Sequence, residues 1–479
     1  MIRVTAAFGL GLLAAAALGG PAGAQTAALA ARMNFDRRHC AEAPAEEAIP
    51  ACTRIIEAKG ETAQVRAGAL RNRAFHFHQA GDLDRAIADY GAAIDLHLRA
   101  GETDARLYVD RGLAYAERGD DGRALADYGS AVTADPKLLA GYVNRAALFL
   151  KRGDRDAALA DFSSAIALKA DDPTLYVSRG ALYIQRHEVD RAIADESEAI
   201  RLDPTAAAAW RFRAVAYRAK GDDAQAQSDA AEAVRRDPRM AEAYSDIGFS
   251  LQAAGEAAGA IAEFTKAITL NPQDARALKA RGDSYLAVGA PDAAIADYGQ
   301  ALAIDPGFTD AHNNRGVAYI GKAAWDQAIA DFTAVLAQDP MNAGAHLNRS
   351  LALQSKGQDA AALADLDEAL RLKPGTPQAL LRRAAIYRAQ GRMADALADL
   401  NAAVALSPTY ADALRARGAI ALDQDRFEAA IADMTQVIAL QPRDAAAYRY
   451  RAIAYAALHD DARATRDDAA AQGLAPEQK

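Results

Sequence analysis

The sequence predicts an all-α chain, a solenoid of about twelve short antiparallel helix pairs, and three observations predict it. Ten of the sixteen prolines share one phase: Pro136, then Pro204, Pro238, Pro272, Pro306, Pro340, Pro374, Pro408, Pro442 and Pro476, the last nine spaced 34 residues apart. Small residues and alanine recur in the same phase. The composition is 51% hydrophobic but only 6% aromatic, which suits helices that approach closely on alanine. A chain of 479 residues is also too long for one compact core, whereas a stack of repeats has no such limit.

Each unit is counted from the third residue after its proline. The eighth position is then always small, from Ala74 and Gly112 to Gly418 and Ala452, and the twentieth is always alanine, from Ala86 to Ala464. The eleventh is aromatic or Leu except at Ala421, and the twenty-eighth is Ile, Leu or Val except at Gln472. Positions 4, 7, 8 and 11 make one helical face, and positions 20, 21, 24, 27 and 28 make another. Between the faces lie pairs such as Gly81-Asp82, Gly119-Asp120 and Gly153-Asp154. There Gly ends one helix and Asp caps the next. Proline stops the second helix, so each period is a helix pair with small residues at 8 and 20 and a large one at 24.

One unit runs His312-Asn313-Asn314-Arg315-Gly316-Val317-Ala318-Tyr319, then Ala328, Phe332 and Pro340. This resembles the tetratricopeptide repeat, and the resemblance covers residues 67–478 in twelve units. It implies a right-handed α-α superhelical solenoid. Four extra residues between Leu96 and Tyr108 break the phase once, and a longer inter-repeat loop is expected there.

Position 7 departs from the family pattern. It is Arg in eleven units, while position 23 is acidic in all twelve and Asp in eleven. The single unit without Arg (Ile247) is the single unit without Asp (Glu263). Arg and Asp are therefore expected to face each other across each pair, Arg281 with Asp297 and Arg315 with Asp331 among them, as charge-assisted structural bridges.

The ends differ from the middle. Residues 1–24 are expected to be a signal peptide, with Arg3, the apolar run Ala6–Leu18 and cleavage between Ala24 and Gln25. That places the mature chain in the periplasm or outside the cell, with no membrane insertion after cleavage. Residues 25–66 are expected to form a capping segment with a degenerate half-repeat, followed by the array at 67–478. The two cysteines, Cys40 and Cys52, fit a disulfide in an exported chain. Free thiols, or a metal or redox site with His39, are the alternatives. Thr465, Asp468 and Gln472 replace apolar residues in the last unit, as a solvated cap requires. Glu196 stands at an aromatic core position, and Gln227 and Ala230 replace Ile and Phe in the next unit. That stretch either packs loosely or meets a partner.

The formal charge of −9 disfavours nucleic acid, which needs a basic stripe. No GxSxG, HExxH, Walker A or strand-linked GxGxxG motif is present, and the acids recur with the repeat. No catalytic residue, metal or cofactor is expected. The family resemblance implies a groove lined by positions 2, 5, 9, 12 and 13 of the first helices. These positions supply Val109, Leu113, Val143, Leu150, Val177, Ile184, Leu347, Leu351 and Leu381, which either bind a partner segment or complete packing between repeats. The expected role is a non-catalytic scaffold or adaptor of the cell envelope with protein or peptide partners. A non-catalytic glycan or peptidoglycan binder is the alternative.

Overall fold

The computed structural model describes residues 21–474, so the expected signal segment lies outside the described residues apart from its last four. Among the described residues are twenty-six helices and no strand. They fall into two compact bodies that meet in sequence at Gly221. The first holds α1 (Pro21–Glu42), α2 (Ala45–Glu57), α3 (Ala63–Gln79), α4 (Leu83–Arg99), α5 (Ala105–Glu117) and α6 (Asp121–Ala134). It continues with α7 (Leu139–Lys151), α8 (Arg155–Leu168), α9 (Pro173–Gln185), α10 (Val189–Leu202) and α11 (Ala207–Lys220). The second begins with α12 (Asp223–Arg236), α13 (Ala241–Ala253), α14 (Ala257–Leu270), α15 (Ala275–Ala287), α16 (Pro291–Ile304), α17 (Thr309–Gly321) and α18 (Trp325–Gln338). It ends with α19 (Ala343–Ser355), α20 (Asp359–Leu372), α21 (Pro377–Ala389), α22 (Met393–Leu406), α23 (Ala411–Asp423), α24 (Phe427–Leu440), α25 (Ala445–Ala457) and α26 (Asp461–Leu474). Within each body every helix packs on its sequence neighbours, which makes each a solenoid of helix pairs. No described helix is long and apolar enough to cross a membrane.

The turns follow from local chemistry. Gly119 ends α5 with φ +86°, a conformation that costs a residue with a Cβ roughly 1–2 kcal/mol. The Asp120 side chain then accepts from the Arg123 N–H at 3.2 Å, which caps α6. The packing of each pair follows from position 8. A Cβ on Gly112 would lie 2.6 Å from the Tyr128 ring, and on Gly282 it would lie 2.7 Å from Tyr298. Tyr128 and Tyr298 are thereby almost wholly buried, and burial pushes the Tyr128 hydroxyl pKa up to about 12. The extra residues after Leu96 do not make the expected loop. They extend α4 to 17 residues, against 14 in α6, because His97, Leu98 and Arg99 continue the helix until Gly101 takes a positive φ.

Among the described residues, Arg and Asp at positions 7 and 23 meet in at least ten helix pairs. Arg73–Asp89, Arg111–Asp127, Arg145–Asp161 and Arg179–Asp195 lie in the first body. Arg281–Asp297, Arg315–Asp331, Arg349–Asp365, Arg383–Asp399, Arg417–Asp433 and Arg451–Asp467 lie in the second. In every pair Nε and Nη2 donate to the two carboxylate oxygens at 2.7–2.9 Å. The aspartates are buried, and these hydrogen bonds raise the Arg315 pKa above its ordinary value.

Nη1 supplies a contact not expected from the sequence. It reaches back to position 25 of the preceding unit: Arg179 to Ser163, Arg281 to Thr265, Arg349 to Thr333, Arg383 to Asp367, Arg417 to Asn401 and Arg451 to Thr435, at 2.7–3.1 Å. Where position 25 offers an acceptor, the arginine therefore ties its own helix pair together and ties it to the one before; Arg111, Arg145 and Arg315 follow Gly91, Gly129 and Gly299 there. Position 25 is Ala231 in the unit that precedes Ile247. There the acceptor and the arginine are absent together.

The entry to the array is a complete helix pair, since α1 packs on α2 and α2 on α3. The sequence marks only α2, where Ala48 takes the place of the recurrent alanine and Cys52 follows four residues later, as Tyr90 follows Ala86. Cys40 faces Cys52, and the two sulfurs are joined at 2.10 Å. Cys52 thus stands where other pairs place a ring, and it is joined to a residue twelve positions earlier rather than set on a small residue sixteen earlier. Asp36, buried, accepts from Nε and Nη2 of Arg54 at 2.9 and 2.6 Å. At the other end Thr465, Asp468 and Gln472 face solvent.

Two outcomes follow. Asp331→Ala strands a partly buried guanidinium and is expected to lower stability by about 3–5 kcal/mol, while Asp331→Leu with Arg315→Met costs much less. An unchanged melting temperature for Asp331→Ala would refute a stabilising role for the pair. Cys52→Ser is expected to cost the entry pair about 3 kcal/mol, read as faster amide exchange in residues 36–57 with exchange beyond Gly101 unaltered.

Candidate partner-binding surface

The first helix of each pair carries the residues expected to meet a partner, and the structure divides them. Val109 is only 6% exposed and packs with Tyr128 and Leu148, so it offers no surface. This corrects its expected place in the strip. Leu113 joins the same cluster, while Val143 and Leu150 pack around Phe162, Leu175 and Leu182. Val177 packs beside Ile200 and Ala209, and Leu347 and Leu381 border the core of the ninth to eleventh pairs. All of these are half-buried and fill the joint between neighbouring repeats. Ile184 and Leu351 are half-buried as well but belong to none of these clusters. The physical reason is that one face of the first helix meets both the groove and the next unit.

The position 5 cations are largely engaged. Arg71 meets Asp110 at 3.3 Å, Lys279 meets Asp283 at 2.8 Å, and Arg415 meets both Asp412 and Asp444 at 2.5 Å. Burial raises the Asp110 carboxyl pKa, with Arg71 opposing the shift. Among the described residues no group of three or more His, Cys, Asp or Glu is placed to hold a metal ion.

Two histidines prove equivalent. His312 and His346 both occupy position 4, 34 residues apart. Their Nδ1 atoms lie 2.7 and 2.8 Å from the carboxylates of Asp331 and Asp365, and their Nε2 atoms lie 3.2 Å from the carbonyls of Pro306 and Pro340. Trp210 makes the same bond to the Pro204 carbonyl at 3.1 Å. These rings brace the Arg–Asp pairs and the inter-repeat turn. The shared 34-residue spacing was the signal that could have revealed them.

Glu196 is the outlier. It is fully buried against Gly180, and neither carboxylate oxygen has a hydrogen-bond partner. Desolvation, reinforced by Asp195 and opposed by Arg213, pushes its pKa up to about 9. It therefore stands protonated inside the fourth helix pair at neutral pH. The next second helix, α12, buries only Ala226, Asp229, Ala230 and Ala233. The boundary between the two bodies lies within this stretch.

The acid makes stability depend on pH with a definite sign. Its folded pKa lies above the unfolded value, so the unfolded chain ionises first as pH rises. The contribution of this acid is fully present below about pH 4.5 and is lost towards pH 9 by up to about 1.4 kcal/mol per unit. Glu196→Phe, which puts a ring on Gly180 as Phe264 sits on Gly248, is expected to raise the melting temperature at pH 8 and flatten its pH dependence. A pH profile unchanged by this substitution would refute the assignment.

Two family models match the chain. The tetratricopeptide repeat model covers residues 66–138, 143–207, 213–275 and 313–377, more than half of the sequence, and a TPR repeat model covers 282–322 and 384–425. No curated protein matches. Among solved structures, a tetratricopeptide repeat protein from Parabacteroides merdae is 21% identical, with TM-score 0.44 over 53% of this chain and 98% of its own. The APC/C hetero-tetramer Cut9-Hcn1 is 16% identical, with TM-score 0.41 over 95% of this chain and 96% of its own. Pseudomonas aeruginosa pilF is 19% identical, with TM-score 0.41 over 46% and 97%.

Proposed function

Because the chain belongs to the tetratricopeptide repeat family, we propose that it is an exported, non-catalytic scaffold of the cell envelope that holds protein partners on its first-helix surface. The observation that carries this reading is where the polar chemistry has gone. The recurring aspartates are taken up by arginine, two histidines brace the same pairs, and both cysteines are joined. Side chains at positions 2, 5, 9, 12 and 13 vary from unit to unit while the core columns stay fixed. That division suits a frame that presents different contacts along its length. The apolar segment ahead of Ala24 supports export, and the disulfide suits an oxidising compartment.

A second reading, a non-catalytic glycan binder, draws on one recess in the second body. There Phe249 and Phe308 stand beside Arg276, Lys279, Asp283 and Asp310.

Affinity capture from the exported fraction with cross-linking is expected to recover a protein partner in stoichiometric amount. Leu351→Asp and Ile184→Asp, with helicity retained, are expected to lower the yield. Recovery of soluble glycan with no protein would favour the second reading, and capture indifferent to every first-helix change would refute the proposed surface.

A further inference from the structure

A recess of about 410 Å³ opens between α21, α22 and α23 in the second body. Leu381, Met393, Leu400 and Ile420 make its floor. It stays open because Ala385 and Ala389, both exposed, line its mouth. Alanine recurs singly at these positions, as at Ala147, Ala181 and Ala253, but only this unit has it at both; others place a larger residue such as Phe75, Leu351 or Glu117 at one or the other. Its lining is mostly apolar, and Met393 can adapt to more than one shape. A recess of this kind accepts one branched or aromatic side chain with favourable burial.

Charge decides what comes with that side chain. Arg388 stands at the rim and pairs with Asp423 at 2.7 Å, with both side chains more than 40% exposed. Such a pair contributes little, so an incoming carboxylate can take the place of Asp423 at small cost. α21 carries Arg382, Arg383 and Arg388 and no acidic residue, and α25 carries Arg449 and Arg451 and none. Arg383 and Arg451 are held by Asp399 and Asp467. Arg382, half-buried near Tyr410, has no acidic partner among the described residues. α23, between α21 and α25, carries Arg415 and Arg417 against Asp412 and Asp423. The three first helices thus hold seven arginines and two acids and, in a chain of net charge −9, favour an anionic partner.

We propose that the recess is a docking site for a short acidic segment of a partner protein, which seats one apolar side chain over Leu381 and Ile420 and sets a carboxylate on Arg388. This rests on the scaffold reading above and names the class of segment that one of its surfaces takes. A basic segment would face Arg388 and Arg382 unfavourably, and an acidic segment without the apolar anchor would leave the recess empty.

Fluorescence polarisation on the full chain tests it with three labelled dodecapeptides. One carries a central leucine flanked by glutamates, one has serine for that leucine, and one has lysines for the glutamates. The leucine–glutamate peptide is expected to bind, and the other two are expected to bind at least roughly tenfold more weakly. Ala389→Trp, which fills the mouth from an exposed position, is expected to abolish the preference for leucine. Arg388→Glu is expected to shift the preference towards the lysine peptide. Equal affinity for all three peptides, no binding of the leucine–glutamate peptide, or binding unchanged by Ala389→Trp would overturn the proposal. Partner capture from the exported fraction that survives Ala389→Trp would leave the scaffold standing and remove this site.

Discussion

Everything in these helix pairs depends on how closely two helices approach at positions 8 and 24. Where Gly meets a ring, as at Gly112 and Tyr128 or Gly316 and Phe332, no Cβ could be added without displacing the ring. The recurrent alanine at position 20 permits the same approach one turn earlier. Dense packing of this kind leaves little freedom for compromise. The two unusual pairs in the first body are both substitutions at this contact. At the entry Cys52 takes the ring position and is joined covalently to Cys40. In the fourth pair Glu196 occupies it with a carboxyl group that finds no hydrogen bond.

The close approach also explains why a charged pair sits beside the core. With the helices held together, the Arg fork at position 7 lines up with the Asp carboxylate at position 23 in a two-pronged geometry. A buried pair of this type adds little net stability over apolar residues, so orientation is the better account of its repetition. The third arm of the fork supports that account wherever position 25 of the preceding unit carries an acceptor. Arg349 reaches Thr333 and Arg451 reaches Thr435 across the repeat boundary, so the guanidinium plane sets the angle between successive pairs as well as within them. His312 and His346 add a further donor to the same carboxylates and anchor the proline turn that begins each unit.

Much of this was legible in the sequence, and the reasons differ by residue. The helix pairs were legible because a period repeated twelve times averages out local noise. The Arg–Asp pairing was legible because Ile247 and Glu263 depart together. The reach of Nη1 to position 25 was not, because Gly, Ala, Ser, Thr, Asp and Asn share that column and look unconstrained until the acceptor role is seen. Helix α1 was hidden because it lacks the small-residue column: sixteen residues before Cys52, where Gly or Ala would stand, is Asp36, and Cys40 lies only twelve before it. The partner-facing strip was only partly legible. Val109 and Val143 alternate with polar residues as groove residues would, yet the same spacing serves the joint with the next unit. Pattern alone does not separate two uses of one helix face.

That shared use bears on where a partner can be held. A first-helix residue that fills the joint between units cannot also be given to a ligand without loosening the array, so binding must come from places where the joint is underfilled. Ala385 and Ala389 create such a place between α21 and α23. Leu381 stays half-buried there, while Leu400 and Ile420 line the recess as buried residues. Because the positions 8 and 24 contact and the Arg–Asp fork hold the neighbouring pairs independently of these alanines, the recess is tolerated without strain. A repeat frame braced this strongly can leave a gap at one joint, and the gap, rather than the apolar stripe, is where specificity can be built.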